Sequence, residues 1–284
     1  MSVILVPFDF TEVAHYAVDH AAHIAKDLEL PVVLLHIINK DTRELLNVYK
    51  VTNDLVNEKL QEKADELSAQ YGIPFQYEAR EGSIFTDIAE ASEEHNAFLV
   101  VMGTHGRKGI QNFFGSYARR VITSSKIPFI VVQNKFYRPY KNIVTPLDDT
   151  LESRQKIKWA IYVSKLFDAT IHLKVRSDKI DPIYPVKIRT ILSKVEQLFK
   201  ANDVKYVVEY KDDEDESSKK FTEQVIEYAH NIDADLILIM TDPDHVNMFN
   251  FMLKPDDEIV LFNDYQIPVM AINPREINFT YVGF

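Results

Sequence analysis

The residues of this chain best suited to chemistry are Gly103-Thr104-His105-Gly106-Arg107-Lys108-Gly109, followed shortly by Gly115-Ser116. The chain has seven glycines, four of them in this segment, and none lies between Ser116 and Val282. Glycine lets a backbone turn tightly and bring its N–H groups against a phosphate without a side-chain clash. A helix opening at Ser116 would add unpaired N–H donors and a partial positive charge. Ser116 supplies a hydroxyl there, and Arg107 and Lys108 place positive charge in an otherwise acidic chain. The chemistry expected is therefore the holding of phosphate or a nucleotide. His105 could serve as a base, but no nucleophile is partnered with it. The competing interpretation is a plain connector. The glycine density, the preceding apolar strand and the Gly-Ser helix start argue against that.

Such a loop needs elements to position it. Val3 to Val6 is a short apolar run ended by Pro7, which reads as a buried strand. Thr11 is the expected N-cap of the next helix, with Glu12 in its first turn. Ala14, Ala17, Val18, Ala21, Ile24, Ala25 and Leu28 form the apolar stripe of that helix. His15, Asp19 and His23 recur every four residues on one face, as metal ligands can. That face lies away from the stripe, so a solvated face is the expectation. Strands follow at Val32–Ile38, Phe75–Ala79, Phe98–Met102 and Ile127–Val132, with helices over Leu45–Tyr71, Ile84–His95 (Ser83 at its cap) and Ser116–Ser124. Strands alternating with helices imply an α/β fold with parallel pairing, its strands apolar because both sheet faces are covered.

The pattern then repeats. Ile143-Val144-Thr145-Pro146-Leu147-Asp148-Asp149-Thr150 echoes Leu5-Val6-Pro7-Phe8-Asp9-Phe10-Thr11. Leu236–Met240 echoes Phe98–Met102, and Ile267-Pro268-Val269-Met270-Ala271-Ile272 echoes Ile127-Pro128-Phe129-Ile130-Val131-Val132. A chain of 284 residues with a repeat of this length implies two tandem domains, 1–137 and 138–284, joined near the polar stretch Asn134 to Lys141. Each is expected to be a doubly wound, five-stranded, mainly parallel sheet of order 3-2-1-4-5 with helices on both faces. In such sheets ligands bind beyond the strand C-termini where the order reverses. That places Asp9, just after strand one, beside the glycine loop after strand four. Asp9 as a simple helix cap is the other possibility, and Thr11 suits that role better.

Composition excludes several function classes. The net charge of −11 disfavours nucleic acid or an anionic membrane as partner. The absence of Cys removes disulfides, thiolate metal sites and cysteine catalysis. No targeting segment or membrane-length apolar run is visible, so a soluble, cytoplasmic protein is expected.

Pro7-Phe8-Asp9-Phe10-Thr11, Leu35-His36-Ile37 and Gly103-Thr104-His105-Gly106 followed by Gly115-Ser116 resemble the universal stress protein family. Both halves take part, so the chain resembles a tandem, UspA-like member. ATP-binding members carry the same loop with a second gap one residue longer than the eight residues Arg107–Phe114 found here. The resemblance implies that Pro7 and Asp9 lie at the site, with Asp9 on the ribose or base and Ile37 against the adenine. It implies that Met102, Gly103, His105 and Gly106 line the α- and β-phosphate region. Gly115, Ser116 and Tyr117 would hold the outer phosphates, with Mg²⁺.

The second half departs from this pattern. Asp242 falls opposite His105 and Pro243 opposite Gly106. Proline has no N–H to donate, and Asp242, Asp244 and the acidic run Asp212–Glu216 would repel a polyphosphate. One nucleotide site per chain is therefore expected. The family resemblance implies a non-enzymatic stress-response sensor or regulator, with an unidentified protein partner, an intramolecular pseudo-dimer and a possible homodimer. The alternatives are an interaction module with a vestigial loop, or a slow ATPase. An enzyme of the nucleotide α-hydrolase class would need a Ser-Gly-Gly or His-x-Gly-His element after strand one, where Pro7–Thr11 stands instead.

Overall fold

The computed structural model describes residues 2–40, 43–44, 52–104, 121–122, 125–177, 183–210, 220–241 and 259–273. They fall into two compact units that meet at the Tyr137–Arg138 peptide.

The first unit runs β1 (Val3–Pro7), α1 (Glu12–Leu28), β2 (Val32–Ile38), α2 (Asn53–Tyr71), β3 (Phe75–Glu81), α3 (Ile84–Glu94), β4 (Ala97–Gly103) and β5 (Phe129–Val132). Its strands lie in the order β3-β2-β1-β4-β5, all parallel. The expected doubly wound α/β order is thus the one observed. Every residue of β2 and β5 is buried, and β1 and β4 are buried except at Pro7, Phe98 and Gly103. The outer strand β3 departs from the expected apolar run. Its sequence FQYEARE is mostly part-exposed, because an edge strand has only one neighbour to cover it. There Glu78 accepts from Arg80 Nε at 2.7 Å and contacts His95 Nε2 at 2.5 Å. Burial pushes the Glu78 carboxyl up, but these two partners outweigh it and hold it below its ordinary value. The predicted start of strand five at Ile127 is also trimmed to Phe129, with Pro128 contributing only its carbonyl to Val100 N–H. Of the helix expected over Leu45–Tyr71, residues 45–51 lie outside the described residues. So does all of Ser116–Ser124 except Val121 and Ile122, which are helical.

Helix α1 forms as its stripe dictates. Thr11 Oγ1 accepts from Ala14 N–H, and Ala14, Ala17, Val18, Ala21, Ile24 and Ala25 are buried against the sheet. The opposite face is only in part the solvated one expected: His23 is exposed, while His15 and Asp19 are part-buried. Asp19 accepts from Tyr71 Oη at 2.9 Å and from Tyr137 N–H at 2.8 Å. His20 is buried and its Nε2 donates to the Lys135 carbonyl at 3.0 Å. His23 stacks on the Tyr137 ring with centroids 4.6 Å apart. Asp19, His20 and His23 thus seat the segment that follows β5, while His15 packs edge-on against Phe8.

The second unit repeats the topology: β6 (Asn142–Leu147), α4 (Leu151–Leu166), β7 (Thr170–Val175), α5 (Tyr184–Ala201), β8 (Tyr206–Glu209), α6 (Phe221–Asn231), β9 (Leu236–Met240) and β10 (Val269–Ile272). Its order is β8-β7-β6-β9-β10, again parallel. Its entry is stapled by acids. Arg138 pairs with both oxygens of Asp233 and through Nε with Asp235 at 2.7 Å. Asp235 Oδ2 accepts the N–H groups of Lys141 and Asn142 at 3.0 and 2.8 Å.

Candidate functional site

Strand β1 stops at Pro7, whereas β2 and β4 on either side of it continue. A cavity of about 170 Å³ opens past the end of β1. Its floor and walls include Phe8, Leu35, Ile37 and Met102, with Val13 and Ala14 of α1 and Ile84 and Ile88 of α3 closing the sides. The polar groups at its edge are Asp9, His36 and Asn39.

The β1–α1 turn is held by a chain of hydrogen bonds. Asp9 Oδ1 accepts from Thr11 N–H at 3.1 Å and from Thr11 Oγ1 at 2.5 Å, and Thr11 Oγ1 in turn accepts from Ala14 N–H at 3.4 Å. Asp9 therefore shares in the cap. Its second oxygen takes no hydrogen bond among the described residues, and the residue is exposed. Phe8 is pinned on both sides of β2's end. Its N–H donates to the Leu35 carbonyl at 2.8 Å, and its carbonyl accepts from His36 Nδ1 at 2.8 Å. A carbonyl only accepts, so His36 carries its proton on Nδ1.

The β1–β2 register ends at the Pro7–Leu35 pair. Peptide groups of a parallel strand alternate between its two neighbours. Leu35 faces β1, so Ile37 does too, and no β1 residue stands opposite it. The Ile37 peptide edge thus offers a donor and an acceptor to the cavity, beside its apolar side chain.

Gly103 closes the β4 wall. A Cβ built there would lie 2.2 Å from the Val13 carbonyl oxygen and 2.5 Å from its carbon. The start of α1 passes so near β4 that only glycine fits.

Of the ten residues expected at the site, Pro7, Asp9, Ile37, Met102 and Gly103 line this one cavity. Met102 and Gly103 thereby join Ile37 around a single space. His105, Gly106, Gly115, Ser116 and Tyr117 lie outside the described residues. Sequence reasoning passed over His36 and Phe8 as lining residues. A histidine interrupting the apolar run of β2 was the available signal.

The second unit keeps the turn but differs in the residues around it. Asp148 Oδ1 accepts from Thr150 N–H at 3.0 Å and Thr150 Oγ1 at 2.5 Å, as Asp9 does from Thr11. Burial raises the Asp148 carboxyl, but those bonds, the Ser153 hydroxyl and the Lys156 charge hold it below its ordinary range. The Pro7–Leu35 pair becomes Pro146–Lys174, and the Gly103–Val132 pair becomes Met240–Ile272. The register position of Gly103 is thus held by a methionine and that of Leu35 by a lysine. Asp242 and Pro243 lie outside the described residues. Among the described residues no cluster of three or more His, Asp or Glu could hold a metal, and no helix is long and apolar enough to cross a membrane.

The sequence model of the universal stress protein family matches residues 1–133. A universal stress protein of Methanocaldococcus jannaschii is 30% identical over 137 residues, which are 46% of this chain and 81% of that protein. The chain belongs to the universal stress protein family. Another universal stress protein, from Bacillus subtilis, is 24% identical over 143 residues, covering 45% of this chain and 97% of that one. Both sequence matches cover about half of the chain. The fold extends further. The crystal structure of a universal stress protein from Archaeoglobus fulgidus covers 96% of this chain and 98% of that one, with a TM-score of 0.72 at 17% identity.

Proposed function

We propose that the first unit binds ATP or a related adenine nucleotide, and that the chain acts as a non-enzymatic, nucleotide-dependent stress-response sensor or regulator in the cytoplasm. The observation that carries this reading is the cavity past the end of β1, lined by Pro7, Asp9, Ile37, Met102 and Gly103. Whole drug-sized ligands occupy roughly 300–1,000 Å³. A cavity of about 170 Å³ suits one ring system of a larger ligand. Its apolar walls match the faces of a purine, and the donor and acceptor of the Ile37 peptide match a purine edge. The unpaired oxygen of Asp9 suits a ribose hydroxyl, which donates to a carboxylate. The phosphates would then run toward the segment that begins after Gly103, whose glycines and basic residues suit them. Magnesium would come with the phosphates, since it keeps several waters and needs few protein oxygens. Among the cavity residues only Asp9 and His36 could act as bases; one Asp9 oxygen and the His36 Nδ1 are engaged in the turn, and the other Asp9 oxygen is the one that suits the ribose.

Calorimetric titration of the full chain with ATP and Mg²⁺ is expected to give about one site per chain, with Gly106→Asp abolishing it. Purified protein, once denatured, is expected to release a nucleotide into the supernatant. Two equal sites, or unchanged binding by Gly106→Asp, would overturn the single-site reading. Fast multiple-turnover phosphate release would overturn the sensor reading.

A further inference from the structure

Phe10 follows Asp9 in the β1–α1 turn with a backbone φ of 63°. That left-handed conformation is costly for any residue with a Cβ and most unusual for a bulky one. Among the described residues the other non-glycine positions with positive φ are Glu29, Asn96, Asp168, Asp203, Asp233 and Gln266, all polar. Most of these close the C-terminal end of a helix, where a left-handed residue satisfies the last carbonyls. Phe10 precedes a helix, so that explanation does not apply to it.

The turn itself does not demand the strain. The second unit builds the same turn, with Asp148 receiving both Thr150 donors at 3.0 and 2.5 Å against 3.1 and 2.5 Å for Asp9 and Thr11. Its counterpart of Phe10 is Asp149, whose φ is not positive. Two copies of one turn therefore differ in the sign of φ at this residue. The strained copy is the one beside the cavity, and strain retained at one position is a pointer to function.

The strain has a visible product. The Phe10 side chain is not tucked into the core: the residue is 42% exposed. Its ring lies 4.9 Å from Phe8 and 5.7 Å from His36, both of which line the cavity. Phe8 and His36 are themselves locked together by the 2.8 Å bond from His36 Nδ1 to the Phe8 carbonyl. A part-exposed aromatic ring thus stands next to the cavity, in edge-on contact with Phe8 and tilted against His36, two residues of its wall.

We propose that Phe10 is a specificity-determining residue, the stacking platform for the planar base of the bound nucleotide. This rests on the nucleotide reading of the cavity and adds to it the group that favours an aromatic heterocycle over an aliphatic or purely phosphate ligand. Base–aromatic stacking tolerates any base, so Phe10 selects a ring, while the Ile37 peptide edge selects among rings.

Calorimetric titration of the full chain with Mg²⁺ and ATP, comparing wild type with Phe10→Gly, tests this. Glycine removes the ring and the strain together. The expected result is an affinity roughly tenfold or more weaker, with a thermal midpoint equal to or above that of wild type. Phe10→Trp is expected to keep the affinity, and its added emission, measured above the Trp159 background shared with wild type, to be quenched by ATP. Phe10→Gly binding ATP within about twofold of wild type, or unquenched emission from Phe10→Trp, overturns the proposal. A wild-type chain that binds no ATP overturns the nucleotide reading itself, so the two failures are told apart.

Discussion

Gly103→Ala is expected to cost the first unit about 3–5 kcal/mol, at the upper end of what single substitutions do. The reason is the identity of the atoms that the new methyl group would meet. They are the Val13 carbonyl oxygen at 2.2 Å, the Val13 carbonyl carbon at 2.5 Å and the Ala14 nitrogen at 3.0 Å. All three are backbone, so no rotamer change relieves the contact. The only relief is to move the start of α1 away from β4. That movement pulls Ala14 N–H from Thr11 Oγ1, and through Thr11 it disturbs Asp9. Thermal denaturation is expected to show a midpoint lowered by on the order of 10–20 °C. ATP binding is expected to be lost with it, since Val13, Ala14 and Asp9 all line the cavity. A variant that melts within about two degrees of wild type would show that α1 yields easily and that the glycine is not required.

The second large effect is expected in acid. His20 is 1% exposed, and burial holds its imidazole down to about 4 from an ordinary 6.5. The unfolded chain takes up this proton as pH falls through 6.5, while the folded chain refuses it until about 4. The folded state thus binds fewer protons in that window. Stability is fully present above 6.5 and drains away as pH falls toward 4, by about 3 kcal/mol in all. Carboxylates held low by their partners, Glu78 and Asp148, act with the same sign but only in more acid solution. Urea unfolding of the first unit at pH 7.5 and 4.5 separates them. Wild type is expected to lose most of this increment, and His20→Gln, which keeps a donor for the Lys135 carbonyl, to lose far less. Equal losses in both proteins would assign the acid sensitivity elsewhere.

Much of the fold was legible because its signals are local. Thr11 was readable as a cap from its place before a helical stripe, Thr150 as its counterpart in the repeat, and the apolar runs of β1, β2 and β4 from their composition. The glycine excess pointed to the β4 end, though for a second reason that was not visible: Gly103 is also the place where a helix presses on a strand. The features that escaped are set by partners far along the chain. His20 is paired with a carbonyl 115 positions away, and Asp19 with an amide 118 away. Nothing near α1 announces them, so its polar face passed for solvated surface. The buried Lys174 escaped for the same reason, as it replaces Leu35 only once the two registers are laid together. The left-handed Phe10 was hidden because residue type alone argues against that conformation.

The pinned junction between the units bears on how the chain withstands proteases. A trypsin-like enzyme must draw several residues into an extended cleft and seat an arginine or lysine head in its specificity pocket. At the junction Arg138 precedes Pro139, a bond such enzymes do not cut, the Lys141 ammonium is already taken by the Phe167 carbonyl and Asp168, and the amides of Tyr137, Lys141 and Asn142 are each bound to a carboxylate. Cleavage there would first require these bonds to break together. The seam at which the two repeats were joined is accordingly a poor place to cut them apart, despite its basic residues and its polar composition.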